Sequence, residues 1–142
     1  MIVLDTNALS ELMRPAPSEE VVHWLRSQER LNVFVTAITR AELLYGIEVL
    51  PEGRRKQGFS EVARRLFEEH FRDRILPFDQ ESAKEFAGIS ASRRAAGRPI
   101  AKLDAMIAAI ARCHSATLAT RNSPDFEGCG IRVINPWLAD VH

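Results

Sequence analysis

Residues 2–7 read Ile-Val-Leu-Asp-Thr-Asn, a run of three apolar residues followed at once by polar ones. A short apolar run that ends in a charged residue is typical of a buried strand. Helical sequence follows directly, so this stretch predicts a strand and then a helix. Asp5 is therefore expected at the carboxyl end of the first strand.

The alternation of strand and helix continues along the chain. Further apolar and β-branched runs predict four more strands, at residues 31–36, 75–78, 117–120 and 131–134. With helices or helix pairs between the strands, this order favours an α/β fold with a mostly parallel sheet and helices on both faces. Pro77 predicts that the third strand lies at an edge of the sheet or ends at this residue. No linker or repeat interrupts residues 1–142, which we expect to form one domain.

The composition excludes several classes of protein. A net charge of zero with 46% apolar residues argues against a disordered chain. The longest apolar run, residues 105–111, is far shorter than the roughly 20 residues that span a membrane. No basic segment precedes the first apolar run, as a signal peptide would require. Cys113 and Cys129 lack CxxC spacing, so we expect free thiols in the cytoplasm.

Basic residues are placed unevenly despite the zero net charge. Residues 86–124 contain six Lys and Arg residues but a single acid, Asp104. One interpretation is a solvated surface. The other is a rim that binds phosphates around a special carboxylate.

Carboxylates follow the first two predicted strands. Ligands of parallel sheets bind beyond the carboxyl ends of the strands, which makes Asp5 and Glu42 candidate site residues. Asp5 could instead cap the helix that follows it. The segment Thr39-Arg-Ala-Glu42 also fits a capping box, which would place Glu42 in the first helical turn.

Asp104 lies in a predicted helix over residues 100–112, and the residues three, four and seven positions later are apolar. A buried carboxylate without a partner costs several kcal/mol, so a metal ion or a base is expected beside it. The alternatives are a simple salt bridge or a position nearer the start of the helix. Asp125 follows the fourth strand and could either join the site or only satisfy a turn.

Carboxylates that converge at one sheet edge repel one another unless a cation lies beside them. An all-oxygen set of ligands suits Mg²⁺ or Mn²⁺, and the histidines show no spacing typical of zinc sites. Such a cation lowers the pKa of bound water and neutralises charge on a phosphate, which suits hydrolysis of phosphodiester bonds.

Five segments, taken in order, resemble the PIN-domain family. Residues 2–7 come first, and then Ile-Thr-Arg-Ala-Glu-Leu-Leu-Tyr-Gly at 38–46, Leu-Asp-Ala-Met-Ile-Ala-Ala at 103–109, Leu-Ala-Thr-Arg-Asn-Ser-Pro-Asp-Phe at 118–126 and Val-Ile-Asn-Pro-Trp at 133–137. The ordered set covers nearly the whole chain. It is most similar to VapC-type and FitB-like toxins of bacterial type II toxin–antitoxin systems.

This resemblance implies an endoribonuclease that depends on Mg²⁺ or Mn²⁺ and is inhibited by a cognate antitoxin. It also implies a homodimer that forms a heterotetramer or larger complex with an antitoxin carrying a DNA-binding domain. The acidic residues of the family match Asp5, Glu42 and Asp104. The polar residue after the first acid matches Thr6, which would hydrogen-bond a ligand, a metal-bound water or the phosphate.

The fourth acid departs from the family pattern. Many relatives have Asp at the position of Asn122, whereas this chain has an acid three residues later, at Asp125. We expect Asp125 to supply the fourth carboxylate, directly or through a water, both as a metal ligand and in catalysis. The alternative is that Asn122 completes the metal shell. Thr120 and Asn122 are expected to support the site.

The leading hypothesis is therefore a toxin ribonuclease in which a metal-activated water attacks phosphorus. Four bases are candidates to steer the RNA: Arg93, Arg94, Arg98 and Arg121. One alternative is a phosphotransferase with Asp5 as nucleophile, although such enzymes show Asp-x-Asp where this chain has Asp-Thr-Asn. The other is a PIN-like module that binds nucleic acid or the antitoxin without catalysis, which loss of a core acid would signal.

Overall fold

The computed structural model describes residues 1–138, so residues 139–142 of the expected domain lie outside the described part. Five strands form one sheet: β1 (Ile2–Leu4), β2 (Val33–Thr36), β3 (Ile75–Leu76), β4 (Thr117–Ala119) and β5 (Arg132–Ile134). The strand order is β3-β2-β1-β4-β5, and every pair of neighbours is parallel. The prediction of a parallel sheet is confirmed, and β3 both lies at its edge and ends directly before Pro77.

Helices cover both faces of this sheet. They are α1 (Thr6–Leu12), α2 (Glu19–Arg26), α3 (Ala37–Glu48), α4 (Arg54–Arg65), α5 (Gln80–Ala95) and α6 (Lys102–Cys113). Successive strand residues point to opposite faces. Val3 accordingly packs with Ile107 of α6, whereas Leu4 packs with Leu9 of α1 and Trp24 of α2. Both faces are therefore closed by apolar packing.

The order of the strands determines where a crevice opens at the edge of the sheet. The chain moves from β1 to β2 on one side, and β4 then returns to the other side of β1. A crevice opens at the carboxyl ends of the strands where the order reverses in this way. Asp5, which directly follows β1, lies at that point.

The predicted capping box at residues 39–42 is wrong. Helix α3 begins at Ala37, and its N-cap is Thr36, whose hydroxyl oxygen accepts the main-chain N–H of Thr39 at 3.1 Å. Glu42 consequently lies in the second turn of α3, where it makes no bond back to the cap. The second strand is also shorter than predicted, because residues Arg30–Asn32 form a 3-10 turn before it.

Among residues 1–138, none of the helices combines the length and the apolar character that crossing a bilayer requires.

Candidate active site

Asp5 is buried at the carboxyl end of β1, with 5% of its surface exposed. Its Oδ1 accepts the main-chain N–H of Thr6 at 2.8 Å, so Asp5 does cap α1. Its Oδ2 accepts the hydroxyl of Thr120 at 2.7 Å. Burial raises the pKa of Asp5, and the bonds from Thr120 and Thr6 oppose that rise. The carboxylate is thus held in one orientation, partly by Thr120, the residue that directly follows β4.

Glu42 reaches the same edge from α3. The hydroxyl of Thr6 donates to Glu42 Oε1 at 2.8 Å, so the residue beside Asp5 connects α1 to α3. Glu42 and Thr6 are both half-buried. Thr6 thus hydrogen-bonds to Glu42, which is itself one of the predicted metal ligands.

Two residues that the sequence analysis did not place in the site support it. Asn7 donates from its amide to Asp5 Oδ2 and to Thr120 Oγ1, each at 3.2 Å, and its Oδ1 accepts the main-chain N–H of Arg121. Thr39 lies with its hydroxyl 2.9 Å from that of Thr6. Asn7 could have been found from its place two residues after a strand-end acid. The pattern around Thr39 indicated only a helix start.

Asp104 lies in the first turn of α6, because this helix begins two residues later than predicted. The side chain is half-buried, and among the described residues no base lies within ion-pairing distance of it. Burial raises the pKa of Asp104 to about 6, and the charges of Asp5, Asp125 and Glu42 add to the rise. The carboxylates of four separate elements therefore affect one another electrostatically.

Asp125, rather than Asn122, shares a cavity with Asp104. Asp125 is exposed in a 3-10 turn, Ser123–Phe126, and its charge raises the pKa of both Asp5 and Asp104. The cavity has a volume of about 160 Å³ and is lined by Asp104, Asp125 and Arg93 among others. Asn122 is exposed, and its main-chain N–H donates to Thr120 Oγ1 at 3.1 Å.

The chemistry of the candidate ligands fits a hard divalent cation, because all of them are carboxylate oxygens that repel one another. The side chains do not form a closed cage, however. Within residues 1–138, no three acidic, histidine or cysteine side chains are placed to hold one ion. Asp104 is half-buried and Asp125 is exposed, so both side chains have space to change rotamer when a cation binds.

The four predicted RNA-binding bases lie in different environments. Arg93 is buried, and its guanidinium donates to the main-chain oxygens of Arg98, Asp125 and Glu127 at 2.7–2.9 Å. The expectation that Arg93 steers RNA is therefore corrected, because its donors are committed to the protein. Arg98 pairs with Glu127 at 3.0 Å, Arg121 lies over the ring of Trp137 at 5.1 Å, and Arg94 is exposed.

The raised pKa of Asp104 predicts a specific dependence of stability on pH. A folded-state pKa of about 6 lies above the ordinary 3.8, so the folded protein holds this proton more tightly than the unfolded chain does. The resulting stabilisation is present at low pH and is lost as the pH rises through 6. In EDTA, we expect the melting temperature of the parent to fall relative to that of Asp104→Asn between about pH 4 and pH 7. A constant difference across this range would contradict the placement of Asp104.

Comparisons with known proteins agree with this architecture. Residues 2–127 match the model of the PIN domain. The chain is 42% identical to the toxin FitB of Neisseria gonorrhoeae, over 96% of this chain and 99% of that protein. It is 37% identical to a VapC ribonuclease of Sinorhizobium fredii, over 96% of this chain and 98% of that protein.

Solved structures give the same result. A structure of FitAB bound to a DNA fragment superposes with a TM-score of 0.92 at 41% identity, covering 100% of this chain and 99% of that one. DNA-bound VapBC from Salmonella typhimurium superposes with a TM-score of 0.79 at 26% identity, covering 95% and 97%. Since the family model spans most of the chain and relatives align over nearly all of it, this chain belongs to the PIN domain family.

Proposed function

We propose that this chain is the toxin of a toxin–antitoxin pair and acts as an endoribonuclease that depends on a divalent cation. The observation that carries the proposal is the arrangement of four acids at this edge of the sheet. Thr6 links Asp5 to Glu42 by hydrogen bonds, and Asp104 and Asp125 line one cavity. Relatives named toxin FitB and VapC ribonuclease support it. We also propose that residues 1–142 form a single domain.

Asp5, Glu42 and Asp104 would hold Mg²⁺ or Mn²⁺, with Asp125 as the fourth carboxylate. When bound, such a cation lowers the pKa of a water and offsets charge that develops on the phosphate. The protein's own contribution is fixed geometry. Asp5 is held by Thr120 and by the main chain of Thr6, so its carboxylate needs little reorganisation.

RNA would approach along the exposed bases beside this edge. Arg121 directly follows Thr120, the residue that supports Asp5, and its side chain is exposed. Arg94 and Arg98 lie at the end of α5 or just beyond it and are exposed as well. These side chains would bind phosphates without reading sequence.

The partner would be an antitoxin that carries a DNA-binding domain, joined to a homodimer of this chain in a heterotetramer or larger complex. A largely apolar cavity of about 290 Å³ adjoins Glu42 and is lined by Met13, Leu43, Ile47 and Phe59 among others. We propose that the antitoxin covers this groove and brings an Arg or Lys to the carboxylates, where its charge would take the place of the cation.

An RNA-cleavage assay tests the proposed activity. The purified chain, free of antitoxin, is incubated with total bacterial RNA in Mn²⁺ or in EDTA. We expect cleavage in Mn²⁺ alone. RNA binding without cleavage would overturn the proposal in favour of a non-catalytic PIN-like module, and a trapped aspartyl-phosphate would favour a phosphotransferase.

The fourth carboxylate gives a separate prediction. Asp125→Asn is expected to weaken Mn²⁺ binding about tenfold, which corresponds to about 1.4 kcal/mol. Adding Asn122→Asp should restore part of the affinity, because that side chain leaves the same strand end. Mn²⁺ titration by calorimetry measures both variants. Unchanged affinity in Asp125→Asn would show that this acid belongs only to the turn.

A further inference from the structure

We infer that Thr39 is a positioning residue for Glu42 and acts through the hydroxyl of Thr6; the inference rests on the proposed function. Thr39 is fully buried, and its Oγ1 lies 2.9 Å from Thr6 Oγ1. Thr6 in turn donates to Glu42 Oε1 at 2.8 Å. Two hydroxyls therefore connect the start of α3 to a carboxylate in its second turn by way of α1.

The direction of these hydrogen bonds follows from counting protons. A threonine hydroxyl has one proton to donate, and a carboxylate can only accept. Because the proton of Thr6 is given to Glu42, the contact between Thr39 and Thr6 requires Thr39 to donate. The hydroxyl of Thr36, 3.4 Å from Thr39 Oγ1, can then only donate weakly toward Thr39. Every hydroxyl in the series points toward Glu42.

The far end of this series is fixed by the fold. Thr36 is the last residue of β2 and is fully buried, and its oxygen also accepts the main-chain N–H of Thr39. Water has no access to replace a missing partner there. Glu42, by contrast, is a long side chain at the half-exposed edge of the crevice. Its alignment depends on Thr6, and Thr39 limits the rotation of Thr6.

Thr39 also has a structural role, but a different atom performs it. Its main-chain N–H closes the first turn of α3, and this bond does not require its hydroxyl. Thr39→Val keeps the N–H and nearly the same side-chain shape. Thr39→Ala removes the hydroxyl without a branched side chain, and Thr39→Ser keeps the hydroxyl. The three variants therefore separate the effect of the Thr39 hydroxyl from the effect of its main-chain N–H, which closes the first turn of α3.

The test measures Mn²⁺ affinity by calorimetry and RNA cleavage under single-turnover conditions. Residues that orient metal ligands typically affect affinity or activity by about 10- to 100-fold, so we expect Thr39→Val and Thr39→Ala to lose about tenfold in each. Thr39→Ser should stay within about threefold of the parent. Thr117→Val removes a hydroxyl at the opposite end of the sheet, in β4, and should change neither.

A double-mutant cycle with Thr6→Val makes the test specific. If Thr39 acts through Thr6, the double variant Thr6→Val with Thr39→Val should be no weaker in Mn²⁺ binding than Thr6→Val alone. Independent losses that multiply would overturn the inference, and so would parent-like Mn²⁺ affinity in both hydroxyl-free variants. A parent chain that binds no Mn²⁺ and cleaves no RNA would instead overturn the proposed function.

Discussion

Asp5→Asn is expected to lower RNA cleavage by about 10³-fold while the fold is retained. Asn has the same size, and its side-chain oxygen can still accept the main-chain N–H of Thr6, so α1 keeps its cap. What disappears is the negative charge at the centre of the carboxylate cluster. Burial raises the pKa of Asp5, so loss of the charge favours the metal-free fold at neutral pH. The amide group that replaces Oδ2 cannot accept the bonds from Thr120 and Asn7, so we expect the free energy of unfolding to change by no more than about 2 kcal/mol. Initial rates and thermal melts measure the two effects.

Asp79→Asn is the matched control. Asp79 also follows a strand and caps a helix, accepting the main-chain N–H of Ser82 at 2.9 Å at the start of α5. Asp79 shares with Asp5 the carboxylate and the role of N-cap, although it is exposed, and it does not contribute to the raised pKa of Asp104. We expect full cleavage from this variant. A well-folded Asp5→Asn protein with the parent rate would exclude the proposed mechanism.

Arg93→Met is expected to destabilise the fold by about 3 kcal/mol, because it removes the charged donor of three partly buried main-chain oxygens. For a chain of this size, that loss lowers the melting temperature by about 9 °C. The guanidinium joins the end of α5 to the segment of Asp125 and Glu127, so both would loosen. Urea unfolding gives the change in the free energy of unfolding.

Arg94→Met provides the comparison, since Arg94 is the exposed neighbour on the same helix. A surface substitution of this kind changes stability by no more than about 0.5 kcal/mol. If instead both variants were equally stable and equally weak in RNA binding, Arg93 would be an RNA contact and its assignment as an anchor would be wrong.

The sequence predicted the parallel sheet because strand and helix patterns alternate, and it predicted an edge or the end of the third strand because of Pro77. It did not predict which strands pair, because the hydrophobic pattern of a strand does not specify its neighbours in the sheet. The resemblance to PIN domains indicated Asp5, Glu42 and Asp104 as the core acids, and they remain a prediction. The strand pattern by itself indicates only Asp5, which directly follows β1, because Asp104 lies in α6.

The failures have a common physical cause. The sequence alone gives Arg93 and Arg94 the same expected role. They differ only in the fold, where the guanidinium of Arg93 bonds to the main-chain oxygens of residues 98, 125 and 127. Likewise, Thr36 and Thr39 can each cap a helix that starts nearby. The structure selects Thr36 for the cap and leaves the Thr39 hydroxyl for Thr6.

The central position of β1 has a consequence for synthesis on the ribosome. Asp5 emerges early, but Thr120, which holds its carboxylate, is added 115 residues later. Asp104 and Asp125 also belong to the last third of the chain, and β1 gains its second neighbour only when β4 is made. The proposed site is therefore incomplete for most of translation. Its four carboxylates come together only in one late step, after β4 and the turn that carries Asp125 have been made.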